Sequence, residues 1–142
     1  MEKIIKYLPV FVALALAGCA TESNRVMTEP EQPVLAGSWL VEDIDQGGVI
    51  DFAQVTMQFD EPGRIAGSTG CNRYSGSLVT DDKTFVASKV ASTRRACAPA
   101  VAGQEQRFLA ALNDAVRYEI ESDTWLLVYD AADRPRLKLT QK

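Results

Sequence analysis

The chain has 142 residues with 15 basic and 19 acidic side chains, a formal net charge of −4 at pH 7. This balance gives no overall attraction to nucleic acid, and the length suits a single domain. The sequence contains no histidine, which excludes the usual zinc sites and Ser-His or Cys-His catalysis, and we expect neither a metal nor a cofactor.

The first 18 residues have the pattern of a bacterial lipoprotein signal peptide. After a lysine-containing start, the apolar run 7–17 is too short to cross a bilayer as a helix, which needs about 20 apolar residues. Residues 16–19, Leu-Ala-Gly-Cys, resemble a lipobox, so we expect a mature chain that begins at a lipidated Cys19. Ala20, where aspartate would favour the inner membrane, indicates the periplasmic face of the outer membrane.

A change in composition separates the predicted anchor from the predicted domain. Residues 19–34 are mostly polar and include two prolines, so we expect them to form a flexible tether. The folded domain is expected over 35–142. Alternating hydrophobic residues between turn signals predict five strands in its first half, at 38–45, 54–59, 64–69, 74–80 and 84–91.

One helix is predicted after these strands. Pro99 suits a first helical turn, and Asn113 with Asp114 suits its end. Helical spacing with one polar exception predicts the inward face. That face is expected to carry Val101, Glu105, Phe108, Leu109 and Leu112.

Three further strands complete the predicted domain. Alternation indicates that Val116, Tyr118 and Ile120 point inward, the apolar segment 124–129 is predicted to be a central strand, and 136–140 is predicted to be the last. The expected fold class is α+β but mostly β: a small, antiparallel, curled sheet or partly open barrel of about eight strands with one helix packed against it.

Two cysteines remain once Cys19 is assigned to lipid. Cys71 and Cys97 would most often pair in an oxidising compartment, and the disulfide would stabilise the fold by ~3.5 kcal/mol through loop closure. The alternative is two buried free thiols. A redox pair is less favoured because the sequence has no Cys-x-x-Cys spacing.

The most distinctive motifs surround these two cysteines. The chain reads Gly-Ser-Thr-Gly-Cys-Asn-Arg-Tyr-Ser-Gly over 67–76 and Thr-Arg-Arg-Ala-Cys over 93–97. Together they resemble the META domain family, and within it the HslJ-like heat-shock lipoproteins, over about 35–140. The matching positions are Gly67, Gly70, Cys71, Asn72, Tyr74, Gly76, Thr93, Arg94 and Cys97. At position 95 this chain has arginine where the family often has an apolar residue.

The resemblance implies a small, β-rich, partly open barrel with a helix. It also implies links to heat stress and novobiocin tolerance, and it implies no established enzymatic activity, so no catalytic residue is expected.

The residues themselves indicate that Gly67, Gly70 and Gly76 permit tight turns and positive φ, that Asn72 bonds local backbone, and that Tyr74 packs on the core.

Three arginines would come together if the disulfide forms. Arg73 would lie beside Arg94 and Arg95, forming a cluster of cations on an acidic chain. One interpretation is a site for an anion or partner, such as lipid phosphate or peptidoglycan carboxylates. The more common outcome for such a cluster is pairing with the protein's own acids or a solvated face.

The function best supported by these patterns is a non-enzymatic envelope lipoprotein with a stress-related or assembly role. Its expected partners are the membrane, through the anchor, and an envelope protein or cell-wall component. The alternatives are a carrier or sensor of a small apolar ligand, or an inhibitor of a periplasmic hydrolase.

The carboxylate pairs Asp43/Asp45 and Asp81/Asp82 are expected to be solvated at turns. A final set of aromatic residues is expected in the core rather than in a ligand site: Trp39, Phe59, Phe108, Trp125 and Tyr129.

Overall fold

Eight strands and one helix make up residues 35–142, the part of the chain that this computed structural model describes. The predicted signal peptide, Cys19 and the tether lie outside the described residues. In chain order the elements are β1 (Gly37–Ile44), β2 (Val55–Phe59), β3 (Arg64–Ser68), β4 (Arg73–Val79), β5 (Val86–Ser92), α1 (Pro99–Asp114), β6 (Ala115–Glu121), β7 (Trp125–Asp130) and β8 (Pro135–Gln141).

The eight strands form one antiparallel sheet in the order β5-β4-β3-β2-β1-β8-β7-β6. The two edges of this sheet approach each other at its ends, where Thr84 bridges to Arg117 and the Phe85 amide donates to the Val116 carbonyl at 2.9 Å. A twisted antiparallel sheet of this size curls, and here it curls far enough to become a partly open barrel. The predicted fold class is confirmed.

The helix α1 follows β5, leads directly into β6, and packs against β5, β8 and β1. Its buried side chains are Val101, Gln104, Phe108, Ala111 and Leu112. The predicted inward position of Glu105 is wrong, because the helical period brings its neighbour Gln104 to the inner face. Glu105 lies on the flank of α1, half-buried, and Leu109 is half-buried against the core.

The core lies inside the curled sheet and beneath α1. The rings of Phe85 and Tyr118 meet edge to face there, and Leu137 and Leu139 of β8 are buried. The prediction that Val116 points inward is wrong: its side chain is exposed, since the pairing of β6 with β7 shifts register between Ala115 and Arg117.

Two members of the predicted aromatic core point outward instead. Leu126 and Val128 fill the inner face of β7, so the alternation of a strand places Trp125 and Tyr129 on the outer face, half-buried. There the Lys138 ammonium lies 3.8 Å from the centre of the Trp125 ring, and Arg117 lies 3.8 Å from that of Tyr129. These cation–π contacts occupy ring faces that an apolar core would otherwise cover. The other three aromatic residues of the set are buried as predicted.

Candidate functional site beside the disulfide

A disulfide joins Cys71 to Cys97, whose Cα atoms lie 6.1 Å apart and which are separated by 26 positions in the chain. It connects the turn between β3 and β4 to the segment that leads from β5 into α1. In this structure the two cysteines therefore form the predicted pair rather than two free thiols.

Asn72 is the polar residue that connects this region, and it is almost fully buried. Its Nδ2 donates to both carboxylate oxygens of Glu105 on α1, at 3.0 and 2.9 Å. Its Oδ1 accepts from the Thr93 hydroxyl at 2.9 Å and from the Arg95 amide at 2.8 Å. The prediction that the Asn72 side chain bonds local backbone is wrong, because its partners lie 21 to 33 positions away.

The local turn is closed by Thr69 instead. The Thr69 amide donates to the Asn72 carbonyl at 2.8 Å, and the Thr69 hydroxyl oxygen accepts from the Asn72 amide at 2.9 Å. That hydroxyl also contacts the Glu105 carboxylate. Sequence reasoning missed Thr69, and it named Glu105 only as a residue of the inward helix face. The spacing of Thr69 ahead of Gly70 and Asn72 was a usable signal, since threonine hydroxyls often close such turns.

The three motif glycines serve two different purposes. Gly70 has φ +96°, a left-handed conformation that favours glycine at this turn. Gly67 and Gly76 lie within β3 and β4, and the prediction of positive φ is wrong for both. At Gly67 the reason for glycine is close approach, because an added Cβ would stand 2.0 Å from the Thr56 carbonyl oxygen.

Tyr74 packs in the core next to this turn. Its ring meets that of Phe108 edge to face at 5.2 Å, and its hydroxyl donates to the Thr56 carbonyl at 3.0 Å. Burial raises the pKa of Tyr74 well above its ordinary value. Tyr74 is therefore a neutral structural residue that links β4, β2 and α1.

Three exposed arginines surround the disulfide. The Arg73 amide donates to the Thr93 hydroxyl at 3.1 Å and the Thr93 amide donates to the Arg73 carbonyl at 2.9 Å, which places Arg94 and Arg95 immediately beside it. All three side chains are exposed, and none forms an ion pair with a carboxylate of residues 35–142. We call Arg73, Arg94 and Arg95 the arginine surface.

The acidic residues singled out by the sequence are arranged differently. Asp43 accepts from the amides of Gln46 and Gly48 at 2.7 and 2.6 Å, and Asp45 pairs with Arg136 at 2.5 Å. The prediction of a solvated side chain is therefore wrong for Asp43, which is half-buried, whereas Asp45 is exposed as predicted. Asp81 and Asp82 are exposed at the turn before β5.

Two further findings concern residues 35–142 alone. They bring no group of three metal-ligating side chains together. No helix among them combines the length and apolar character that crossing a bilayer requires.

These observations define a class: a small, mostly β domain whose curled antiparallel sheet is covered by one helix and joined to it by a disulfide and a buried polar network. The META domain family matches residues 32–142. The chain belongs to the META domain family.

Solved structures share this fold. An NMR structure of a protein is 25% identical with a TM-score of 0.60, over 80% of this chain and 95% of the other. An NMR structure of a protein from Burkholderia xenovorans is 20% identical with a TM-score of 0.58, over 97% and 99% of the two chains. A crystal structure of a DUF4847 family protein from Bacteroides vulgatus is 17% identical with a TM-score of 0.57, over 79% and 96%. Comparison with curated proteins gives no match.

Proposed function

We propose that this protein is a non-enzymatic lipoprotein of the bacterial envelope whose META domain binds an anionic envelope component through the arginine surface. The observation that carries the proposal is the exposure of three neighbouring arginines that no carboxylate of residues 35–142 neutralises, in a chain of net charge −4. Guanidinium groups bind phosphate and carboxylate oxygens through paired hydrogen bonds.

The proposed location rests on the N-terminal sequence. The lipobox-like residues 16–19 support lipidation of Cys19, and Ala20 supports the periplasmic face of the outer membrane. The disulfide between Cys71 and Cys97 is consistent with this location, because disulfides persist in oxidising compartments. The resemblance to HslJ-like proteins supports a role in envelope stress or assembly.

The alternative of a carrier for a small apolar ligand has less support. The side chains inside the curled sheet pack on one another in one core cluster. Two pockets lined by described residues, of about 430 and 390 Å³, are open to solvent and lined mainly by charged and other polar side chains. A third, of about 380 Å³, is equally open and has a mixed lining that includes Val90 and Leu109. An apolar ligand favours concave, mostly apolar sites. Inhibition of a periplasmic hydrolase stays an alternative that direct inhibition assays test.

Metabolic labelling with an alkyne-tagged palmitate tests the anchor. The wild-type chain is expected to take up label and to fractionate with the outer membrane, and Cys19→Ala is expected to lose both properties. A Cys71→Ala/Cys97→Ala variant should keep its label, because its lipid-accepting cysteine is intact. Unlabelled wild-type protein would contradict the proposal.

Complementation tests the arginine surface. Cells that lack the gene are expected to survive heat or novobiocin less well, and the wild-type gene should restore survival. A gene in which Arg73, Arg94 and Arg95 are all replaced by alanine should restore much less survival when the protein is present at the same level. Arg64→Ala is the matched control, since Arg64 is an exposed arginine that already pairs with Glu61 at 2.8 Å. Equal rescue by all variants would count against the proposed site.

A further inference from the structure

Phe52 is the most exposed large hydrophobic side chain among residues 35–142, with 84% of its surface accessible. It lies in the loop between β1 and β2, on a turn closed by the Ala53 amide, which donates to the Ile50 carbonyl at 2.9 Å. A phenylalanine ring left in water forgoes the favourable free energy of its burial. The backbone around Phe52 is held in place, so the ring is exposed on an ordered turn.

A buried glutamine holds this turn. The Oε1 of Gln104 accepts from the Ile50 amide at 2.7 Å, and its Nε2 donates to the Ala53 carbonyl at 2.7 Å. Gln104 lies on the inner face of α1 and is almost fully buried. One side chain therefore fixes the backbone on both sides of Phe52. The aromatic ring is exposed to solvent on a turn that these two hydrogen bonds hold in place.

Phe52 lies at the same end of the barrel as the arginine surface. A Cβ added to Gly70 would stand 2.6 Å from the Ala53 carbonyl oxygen, so the two loops touch. Gly70 precedes Cys71, whose disulfide leads to the segment that carries Arg94 and Arg95. An exposed aromatic ring and three exposed cations are thus built on adjoining connections.

We propose that Phe52 and the arginine surface together dock the domain onto an anionic lipid bilayer, with the phenylalanine ring entering the boundary between headgroups and acyl chains and the arginines binding lipid phosphates. This inference rests on the proposed function, because it identifies the anionic envelope component that the arginine surface binds as a lipid bilayer. A basic patch beside an apolar side chain is the combination by which peripheral proteins bind such surfaces.

The isolation of Phe52 favours a bilayer over a protein partner. A protein interface buries a core of several apolar and aromatic side chains. The other exposed large hydrophobic residues of the described part of the chain are Val79, Val86 and Val116, on or next to the hairpin of β4 and β5 and far along the sheet from Phe52. Asp51 is an exposed carboxylate on the same turn, and the three arginines outnumber it.

The proposed anchor is compatible with this docking. The chain enters β1 at Gly37, and Phe52 follows the opposite end of that strand. The eight residues of β1 span about 26 Å, so Phe52 lies about that far from the point where the chain enters the domain. The residues between Cys19 and Leu35 can reach about 55 Å when extended. A lipidated chain could therefore bring Phe52 to the membrane that holds it, and the high local concentration makes a weak affinity sufficient.

Vesicle flotation tests the inference with the chain 20–142, which lacks the lipid and keeps every described element. Binding is expected to phosphatidylethanolamine vesicles with about 30 mol % phosphatidylglycerol and to weaken as salt rises. Each arginine-to-alanine change on the arginine surface should weaken binding about fivefold, and Phe52→Ala by a similar factor. Arg64→Ala and Val79→Ala are the matched controls and should stay within about twofold of wild type.

The inference would be overturned by equal binding to neutral phosphatidylcholine vesicles, by wild-type binding of Phe52→Ala, or by equal losses in Arg64→Ala and Arg94→Ala. Tight binding to soluble polyglutamate that does not depend on Phe52 would also overturn it in favour of an acidic protein partner. Circular dichroism and urea midpoints verify that each variant is folded. If vesicles fail to bind while palmitate labels Cys19, the docking inference fails and the proposed lipoprotein stands.

Discussion

The Nδ2 of Asn72 donates to both carboxylate oxygens of Glu105, 33 positions further along the chain, at 3.0 and 2.9 Å. This contact joins the turn between β3 and β4 to the flank of α1. On its other side Asn72 accepts from the segment that leads into the same helix. The Asn72 side chain therefore connects three parts of the chain by hydrogen bonds: the turn between β3 and β4, the segment before α1, and α1 itself. The disulfide beside it links the first two of these parts.

Asn72→Ala is expected to lower the free energy of unfolding by about 2–4 kcal/mol. The change leaves the Glu105 carboxylate and the Arg95 amide without their buried partner, and unsatisfied polar groups are costly there. Urea unfolding measures the effect. Asn113→Ala, at an exposed position on α1, is the matched control and should stay within about 0.5 kcal/mol of wild type. Similar values for the two variants would contradict the structural role of Asn72.

Replacing both Cys71 and Cys97 by serine is expected to lower the free energy of unfolding by ~3.5 kcal/mol, because the disulfide closes a loop across 26 positions in the unfolded chain. The variant should keep its strand signal in circular dichroism, since the Asn72 contacts connect the same segments. Wild type in reductant should unfold at the urea midpoint of the variant. A wild type that reductant leaves unchanged would contradict this prediction.

Two glycine-to-alanine changes are expected to have opposite signs. Gly67→Ala should destabilise by about 3 kcal/mol or more, because its Cβ would collide with the backbone carbonyl of Thr56. Gly103→Ala lies in α1 with nothing within 4 Å of the added Cβ, and it should stabilise by about 0.5–1 kcal/mol. Thermal unfolding compares both with wild type. Destabilisation by Gly103→Ala would mean that α1 is packed differently there.

Asp130 is expected to contribute pH-dependent stability. The Arg134 guanidinium, with help from the Arg134 and Ala132 amides, lowers the pKa of this carboxyl to about 2. A pKa below the unfolded value of 3.8 means that the contribution is complete above about pH 4 and disappears as the pH falls through about 2. Asp130→Asn should therefore have a lower urea midpoint than wild type at pH 7, and the difference between the two midpoints should become small near pH 2.

The control for this pH series is Asp123→Asn, which removes an equal charge from an exposed turn. Its urea midpoint should stay close to that of wild type at each pH. A gap between Asp130→Asn and wild type that stays constant from pH 7 to pH 2 would show that the carboxylate charge of Asp130 is not what stabilises the fold.

Sequence reasoning succeeded where structure depends on near neighbours. Alternation predicted β2 to within one residue at its start and at its observed end, and Pro99 predicted the first residue of α1. The same reasoning failed by one position inside the helix, where Glu105 was placed inward instead of Gln104. Two adjacent polar residues in a helical stripe look alike in sequence, and only the partners offered by Ile50 and Ala53 separate them.

By itself the sequence determined the order of strands and helix and the likeness to the META domain family, because period, turn chemistry and motif spacing are local properties of the chain. Only the tertiary structure decided that Asn72 reaches α1, that Trp125 and Tyr129 face outward, and that Phe52 stands exposed beside the arginine surface. These relationships join residues through strand register and through contacts across dozens of positions. Such contacts exist only once the sheet has curled and the helix has covered its open side.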